Sequence, residues 1–478
     1  MFEAVIGLEV HAQLLTRTKL FCGCRVAFGV LPNTNVCPVC LGLPGALPVP
    51  NARAIELGVR AARALGSRIE ERSTFARKQY FYPDLPKGYQ ISQFDKPFAV
   101  GGTVEYVLEG EEKSARLVRV HLEEDAGKST HRGQSSLVDL NRAGTPLIEI
   151  VGEPDLRSPQ EAAAYLRALR EILMALEVND GNLEEGSFRC DANVSVRPRG
   201  ESKLGTRVEL KNINSFRFIE RAIAGEIDRQ IEEIGAGRII VQETRGYDEV
   251  TDCTYSMRGK EDAHDYRYFA DPDLPTLGIP ASMVAAVDAA LPELPAKKRA
   301  RYTQDLGLPA DAAAVLTGHP RVAALFEESV AFGAPVLRAA NFVQAEVLRD
   351  VTTDGLAATI PLSARQLADI LVLVERTEIS GKQAKELYAK VRGTDRAVPE
   401  LVNELGMKQV TDVGQIAVVC QRVVAANEKQ AASYRAGKTT LFGFFVGQVM
   451  KEMRGAAHPE TVRAELEKAL GAPAPGAS

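Results

Sequence analysis

Val5-Ile-Gly-Leu-Glu-Val-His-Ala-Gln-Leu14 alternates with a period of two. Ile6, Leu8, Val10, Ala12 and Leu14 fall on one face and Gly7, Glu9, His11 and Gln13 on the other, which is the pattern of a strand with one apolar and one polar side. Glu9 and His11 therefore project side by side. Short alternating or apolar runs separated by Gly and Pro continue to about residue 255, so the first half reads as α+β. Three helices interrupt them. One runs from an Asn51 cap to Leu65 and stops at Gly66. A second, Ser158 to Leu176, opens on Ser-Pro-Gln-Glu, with an N-cap, Pro at the first helical position and a capping-box glutamate. A third starts at Ser215 with Phe218, Ile219, Ala222, Ile223, Ile227 and Ile231 on one stripe and ends near Gly235.

Residues 256 to 294 are rich in Asp and Pro and suit a boundary. Beyond Pro280 no strand pattern appears. The chain is Ala-rich with helical spacing, broken near Gly307-Leu-Pro309, Gly318-His-Pro320, Gly393 and Gly406. The whole has 478 residues, more than one packed core usually holds. No apolar run approaches the roughly 18 to 20 residues of a membrane helix, and Met1-Phe2-Glu3 opens on an acid, so a cytoplasmic protein is expected. A net charge of -5 excludes nucleic-acid binding by a large basic surface. Any RNA contact must be local, and the segment 406–478, with nine Lys/Arg against six Asp/Glu, is the place for it.

Four of the seven cysteines fall within nineteen residues. Cys22-Gly-Cys24 and Cys37-Pro-Val-Cys40, twelve residues apart, have the spacing of a four-thiolate structural zinc site, with no open position for water. In Val118-Arg-Val-His-Leu-Glu-Glu-Asp-Ala-Gly127 the apolar phase of Val118, Val120 and Leu122 continues onto Glu124, and Glu149 interrupts the apolar run Pro146-Leu-Ile-Glu-Ile-Val151. A carboxylate on a buried face must find a cation or a metal, or change its pKa. Asp191, Asn193 and Ser195 share one strand face, as do Glu209 and Lys211; a lysine beside metal-binding acids suits an anionic nucleotide. Arg77-Lys-Gln-Tyr-Phe-Tyr-Pro-Asp-Leu-Pro-Lys-Gly-Tyr89 mixes cations and aromatics in what reads as an irregular loop lining a passage or a stacking surface. Gly127-Lys-Ser129 and Gly437-Lys-Thr439 are not phosphate loops, because Leu122 and Ala432 stand where the motif needs glycine, and no Gly-x-Ser-x-Gly elbow is present.

With these residues in view the chain resembles the GatB family, whose members are subunits of the bacterial tRNA-dependent amidotransferases, over essentially its whole length. The blocks that carry the resemblance are Val5-Ile-Gly-Leu-Glu-Val-His11, Arg77-Lys-Gln-Tyr-Phe-Tyr-Pro-Asp84, Tyr89-Gln-Ile-Ser-Gln-Phe-Asp95, Glu123-Glu-Asp-Ala-Gly-Lys-Ser-Thr-His131, Asp139-Leu-Asn-Arg-Ala-Gly-Thr-Pro-Leu-Ile-Glu-Ile150, Arg189-Cys-Asp-Ala-Asn-Val-Ser195, Glu209-Leu-Lys-Asn-Ile-Asn-Ser215 and Asp265-Tyr-Arg-Tyr-Phe269. Phe442-Gly-Phe-Phe-Val-Gly-Gln-Val-Met-Lys451 is similar to the family's YqeY-like tail.

The resemblance implies an α+β fold: a mixed-sheet catalytic cradle at 1–293, an all-α helical domain at 294–405 and a small helical YqeY-like tail at 406–478. It implies an ATP-dependent carbon–nitrogen ligase that phosphorylates the side-chain carboxylate of Glu on tRNA-Gln or Asp on tRNA-Asn. Ammonia from the amidase subunit GatA then forms the amide, in a heterotrimer with GatC; the cognate nondiscriminating aminoacyl-tRNA synthetase is a further candidate partner. By the family pattern Mg2+ sits at His11, Glu124 and Glu149, and ammonia passes Lys78, Tyr80, Lys87, Thr145 and Asp191. Glu9, Glu209 and Lys211 are candidates for the ATP pocket, and Arg422, Lys438, Lys451 and Arg454 for tRNA contact. The missing amidase signature agrees with ammonia from a partner. Two other readings remain at this point: a noncatalytic subunit that only presents tRNA, and a zinc hydrolase with the cysteine cluster as its active site.

Overall fold

The computed structural model describes all residues except 214, 259–265, 353–354, 408–412, 454–456, 458 and 473–478, so Arg454 and Asp265 lie outside the described residues. It comprises two compact units, Met1–Ala300 with Asp354–Ala357, and Arg301–Thr353 with Ala358–Ser478. In chain order the strands that matter here are β1 (Phe2–Gln13), β2 (Ala76–Gln79), β3 (Tyr89–Ser92), β4 (Glu111–Glu124), β5 (Pro146–Gly152), β6 (Phe188–Pro198), β7 (Val208–Ile213), β8 (Thr244–Asp248), β9 (Cys253–Arg258) and β10 (Phe269–Ala270).

β1 lies inside the large sheet of the first unit, whose order from one end is β9-β8-β7-β6-β1-β5-β4. Of these neighbouring pairs, β7 and β8 are parallel and the others antiparallel, which makes the sheet mixed. The alternation expected for β1 holds: Ile6, Leu8, Val10 and Ala12 are at most 1% exposed and enter one core with the helices α1 (Ala52–Ala64), α2 (Pro159–Ala175) and α3 (Phe216–Gly235). Each such Ile, Leu or Val side chain contributes roughly 1.5–3 kcal/mol by leaving water. These three helices cover the apolar face, and the opposite face of β1 carries the polar residues Glu9, His11 and Gln13. α1 approaches closely because Gly58 carries no side chain; a Cβ there would come within 3.2 Å of Phe98 and 3.4 Å of Leu122.

The expected helix starts are present, with one change of partner. Asn51 accepts the N–H groups of Arg53 and Ala54, and Ser158 Oγ accepts that of Glu161. The Glu161 carboxylate does not return to Ser158; it takes the N–H of Arg157 at 2.6 Å and the Lys113 ammonium at 2.8 Å, since a nearby cation competes for it. On α3 the apolar stripe also buries Glu226, held by Arg229 at 2.7 Å and Arg245 at 3.4 Å.

β4 departs from the phase expected of it. Ala115 and Leu117 are buried, Val118 is 37% exposed, and Val120 and Leu122 are buried again. The register against β5 shifts between Val151 and Gly152, so Val118 is the extra residue of a bulge. From Arg119 onward the odd-numbered residues face the polar side. The segment 77–89 is also less irregular than expected, because β2 pairs with both β3 and β10 before and after its turns.

In the second unit the described residues form helices without strands, around two separate apolar clusters, one from Tyr302 to Val402 and one from Ile416 to Leu470. Ser363 with Gln366 and Ser380 with Gln383 form capping boxes. Among the described residues no helix is long and apolar enough to cross a membrane.

Candidate functional site

Strand register assembles the site. Arg189, His11, Glu149 and His121 occupy directly opposed positions on β6, β1, β5 and β4, so their side chains form one row on the polar face. Asp191, Glu9, Val151 and Arg119 form the adjacent row. Glu123, two residues beyond His121, closes the group.

His11, Glu123 and Glu149 offer one ligand atom each, all within 4.8 Å of one another. His11 Nδ1 lies 3.0 Å from Glu123 Oε1, and His121 Nε2 lies 3.1 Å from Glu149 Oε2. Burial would push the His11 imidazole down, but Glu149, Glu123 and Asp191 together raise it to about 9. Burial acts on Glu149 in the opposite sense and is outweighed by His121, His11 and Lys78, which hold it well below the usual carboxylate range. Glu9 is raised, first by burial and then by Glu149, Asp191 and Glu209. The donors are two carboxylates and an imidazole converging on one point, a set able to hold a divalent cation.

Of the expected trio His11, Glu124 and Glu149, the structure brings His11 and Glu149 together with Glu123, while Glu124 lies apart from them. Glu124 continues the apolar phase of Val120 and Leu122, turned away from His11. There it pairs with Lys87 Nζ and accepts the Ile91 N–H at 2.9 Å. Gly144, beside this pair, adopts φ +84°, a left-handed conformation that favours glycine. Counting the polar residues Arg119, His121 and Glu123 as one alternating set, rather than the apolar ones beginning at Val118, is the signal that would have found Glu123.

The other expected residues separate into two groups. Lys211 bonds Asp191 at 2.8 Å and Glu209 at 3.1 Å, and Asn193 bonds Glu9 at 2.8 Å, so the candidate nucleotide residues are contiguous. Asp191 belongs with them, 3.9 Å from His11 Nε2, rather than with the remaining ammonia-passage candidates. Lys78 lies 4.8 Å from the ring centre of Tyr266 and 5.9 Å from that of Tyr80, in an aromatic corner that includes Tyr82. Burial lowers the Lys78 amine, but Glu123 and Glu149 outweigh it and keep it above the ordinary lysine value. Tyr80 donates to Gln90 at 3.2 Å and is pushed up, chiefly by burial. Thr145 is buried, and its carbonyl accepts the Asp125 N–H at 2.8 Å.

Sequence reasoning missed His121, Arg119, Arg189 and Lys19. Arg189 bonds Asp125 at 3.0 Å, and Gln13 donates to the same carboxylate at 2.8 Å.

Cys22, Cys24, Cys37 and Cys40 converge as expected, with sulfur–sulfur distances of 3.4, 3.7 and 3.7 Å from Cys40 to Cys22, Cys37 and Cys24. A tetrahedral four-thiolate zinc has sulfur–sulfur edges of about 3.8 Å, from a Zn–S bond of about 2.3 Å. Lys19, fully buried, donates to Cys40 Sγ at 3.3 Å and to the Leu140 carbonyl at 3.2 Å. A bond from Cys22, and then Lys19, lower the Cys40 thiol to about 4, against the opposing effect of burial. The cluster is able to hold zinc, and four thiolates leave no place for substrate.

Of the tRNA-contact candidates, Arg422 is exposed and bonds Glu452 at 2.8 Å, while Lys438 and Lys451 are exposed.

The family model described as the GatB/GatE catalytic domain matches residues 4–285, and that of the GatB domain matches residues 324–470. The GatB-type subunits of the aspartyl/glutamyl-tRNA(Asn/Gln) amidotransferases of Anaeromyxobacter dehalogenans (strain 2CP-1) and Geotalea uraniireducens are 52% and 51% identical to this chain. The corresponding protein of Geobacter sulfurreducens is 51% identical. In all three cases 98% of this chain and 99% of the relative are covered. Matched by these models over most of its length and by these relatives from end to end, the chain belongs to the GatB family.

Proposed function

We propose that the chain is the phosphorylating subunit of a tRNA amidotransferase, acting on Glu carried by tRNA-Gln, Asp carried by tRNA-Asn, or both. A carboxylate is a poor acceptor for ammonia because oxide is a poor leaving group. One carboxylate oxygen attacks the γ-phosphorus of ATP, and ADP departs. Ammonia then adds to the acyl phosphate carbonyl, phosphate leaves, and a proton is lost to give the side-chain amide.

The observation that carries this reading is the buried convergence of His11, Glu123 and Glu149 on the polar face of the sheet. A scaffold that only presents tRNA has no use for two such carboxylates, whose burial is costly unless a cation joins them. His11, Glu123 and Glu149 would hold Mg2+, which when bound neutralises phosphate charge. Around them Lys211, tied to Asp191 and Glu209, supplies a fixed positive charge beside Glu9, and we assign this group to the nucleotide. We assign Lys78, Tyr80, Lys87 and Thr145 to the passage of ammonia: their side chains are largely withdrawn from water, so an acyl phosphate formed beside them is protected from hydrolysis. In this reading the amidase GatA supplies ammonia and GatC completes the complex. Zinc in the four-cysteine cluster is structural, and the tail cations Arg422, Lys438, Lys451 and Arg454 contact the tRNA backbone.

The test is ADP release by the complex reconstituted from this chain, the amidase and the third subunit. Release that requires Glu-tRNA-Gln or Asp-tRNA-Asn, and is lost in Glu149→Gln, supports the proposal. Amide formation without ADP release would overturn it.

A further inference from the structure

The cations of the polar face are nearly all spoken for. Lys211 has Asp191 and Glu209, and Arg189 has Asp125. Lys78 is enclosed by tyrosine rings. Arg119 is different: among the described residues its guanidinium has neither an ion pair nor a hydrogen bond, and its Nε is buried without a partner. A guanidinium presents five donors and does not lose its proton, so leaving such a group half-buried and unanswered is costly. The bulge at Val118 is what turns Arg119 onto this face, in the row of Glu9 and Asp191 and two residues along β4 from His121. Roughly 7 Å of strand therefore separates its Cα from that of His121, and about 13 Å from that of Glu123, a gap that a long arginine side chain partly spans. His121 Nδ1 and Arg189 Nε, in the adjacent row, are also buried without a partner.

We propose that Arg119 is a phosphate subsite, binding the phosphate chain of the nucleotide on the side of the metal trio where strand β4 enters the polar face. The proposal rests on the reading that this face binds ATP. The trio and its acidic neighbours repel a polyphosphate wherever no cation stands between them. Arg119 is the unpaired guanidinium placed to take that role, with the planar fork that suits phosphate oxygens. Phosphate on tRNA offers the same chemistry, and the experiment separates the two sources.

Equilibrium binding of ATP, inorganic triphosphate and tRNA is measured on the full chain with Mg2+, for wild type, Arg119→Gln and Arg119→Lys. Loss of one charge-assisted contact predicts ATP and triphosphate binding weakened about ten- to a hundredfold in Arg119→Gln. A smaller loss is predicted in Arg119→Lys, and tRNA binding stays unchanged in both. In wild type, ATP should shield Arg119 from phenylglyoxal, read by peptide mapping, a measurement that needs no variant to fold. Equal ATP affinity in all three chains, or weakening of tRNA binding alone, or modification of Arg119 undiminished by saturating ATP, overturns the assignment and leaves the phosphorylation reading standing. If wild type binds neither ATP nor triphosphate, the reading of the face as an ATP site falls, and Arg119 with it.

Discussion

Adjacent glutamates of β4 face opposite sides of the sheet, and exchanging each for glutamine tests the separate duties proposed for them. Glu124 is 3% exposed and ion-paired with Lys87, whose side chain is 11% exposed. Removing one partner of a buried pair leaves an uncompensated charge, at a cost of about 3–5 kcal/mol. The first unit spans Met1–Ala300, and at roughly 2.1 cal/mol/K per residue its unfolding entropy is about 0.6 kcal/mol/K. Glu124→Gln should therefore lower the melting midpoint by roughly 5–8 °C. Glu123→Gln keeps an oxygen able to accept from His11, so its cost is about 1–2 kcal/mol and its shift roughly 2–3 °C. Divalent binding should move the other way, with Mn2+ affinity falling about a hundredfold or more in Glu123→Gln and changing little in Glu124→Gln. Calorimetric Mn2+ titration and thermal melting of the same samples read both quantities. If Glu124→Gln abolished Mn2+ binding while Glu123→Gln retained it, the geometry of the site, and the bulge that produces it, would be refuted.

His11 yields a pH dependence. Its folded value of about 9 exceeds the ordinary 6.5, so the stability it contributes is complete below about 6.5 and is lost as pH rises through 9. The loss is on the order of 3 kcal/mol, and metal-free melts at pH 6, 8 and 10 should show it in wild type but not in His11→Asn; equal slopes would count against the imidazolium. Cys37→Ser should lose bound zinc by elemental analysis and expose the 22–40 loop to protease while leaving Mn2+ titration intact; retained zinc would exclude the four-thiolate site. Arg422→Ala and Lys451→Ala should each reduce the slope of log affinity for tRNA against log salt by about 1. Unchanged slopes would remove these residues from the tRNA contact.

Several features were legible because they are local. Alternation in β1 depends only on neighbouring side chains, and the caps at Asn51, Ser158 and Ser215 on residues within three positions. The cysteine cluster is legible for the same reason, since two close pairs and a twelve-residue loop specify a tetrahedron. What the chain could not disclose locally was set across strands. The bulge at Val118 comes from pairing with β5, and it moves the buried apolar phase from Ala115 and Leu117 to Val120 and Leu122, which leaves Arg119, His121 and Glu123 on the side of the sheet that carries His11. Asp191 likewise joins Lys211 and not the aromatic corner, because β6 pairs with β7. A one-residue slip transfers every following side chain to the other face of a sheet, and only the partner strand determines where the slip occurs. Sequence by itself thus determined which residue types were available for the chemistry. Tertiary pairing decided which carboxylate and which arginine stand beside the histidine.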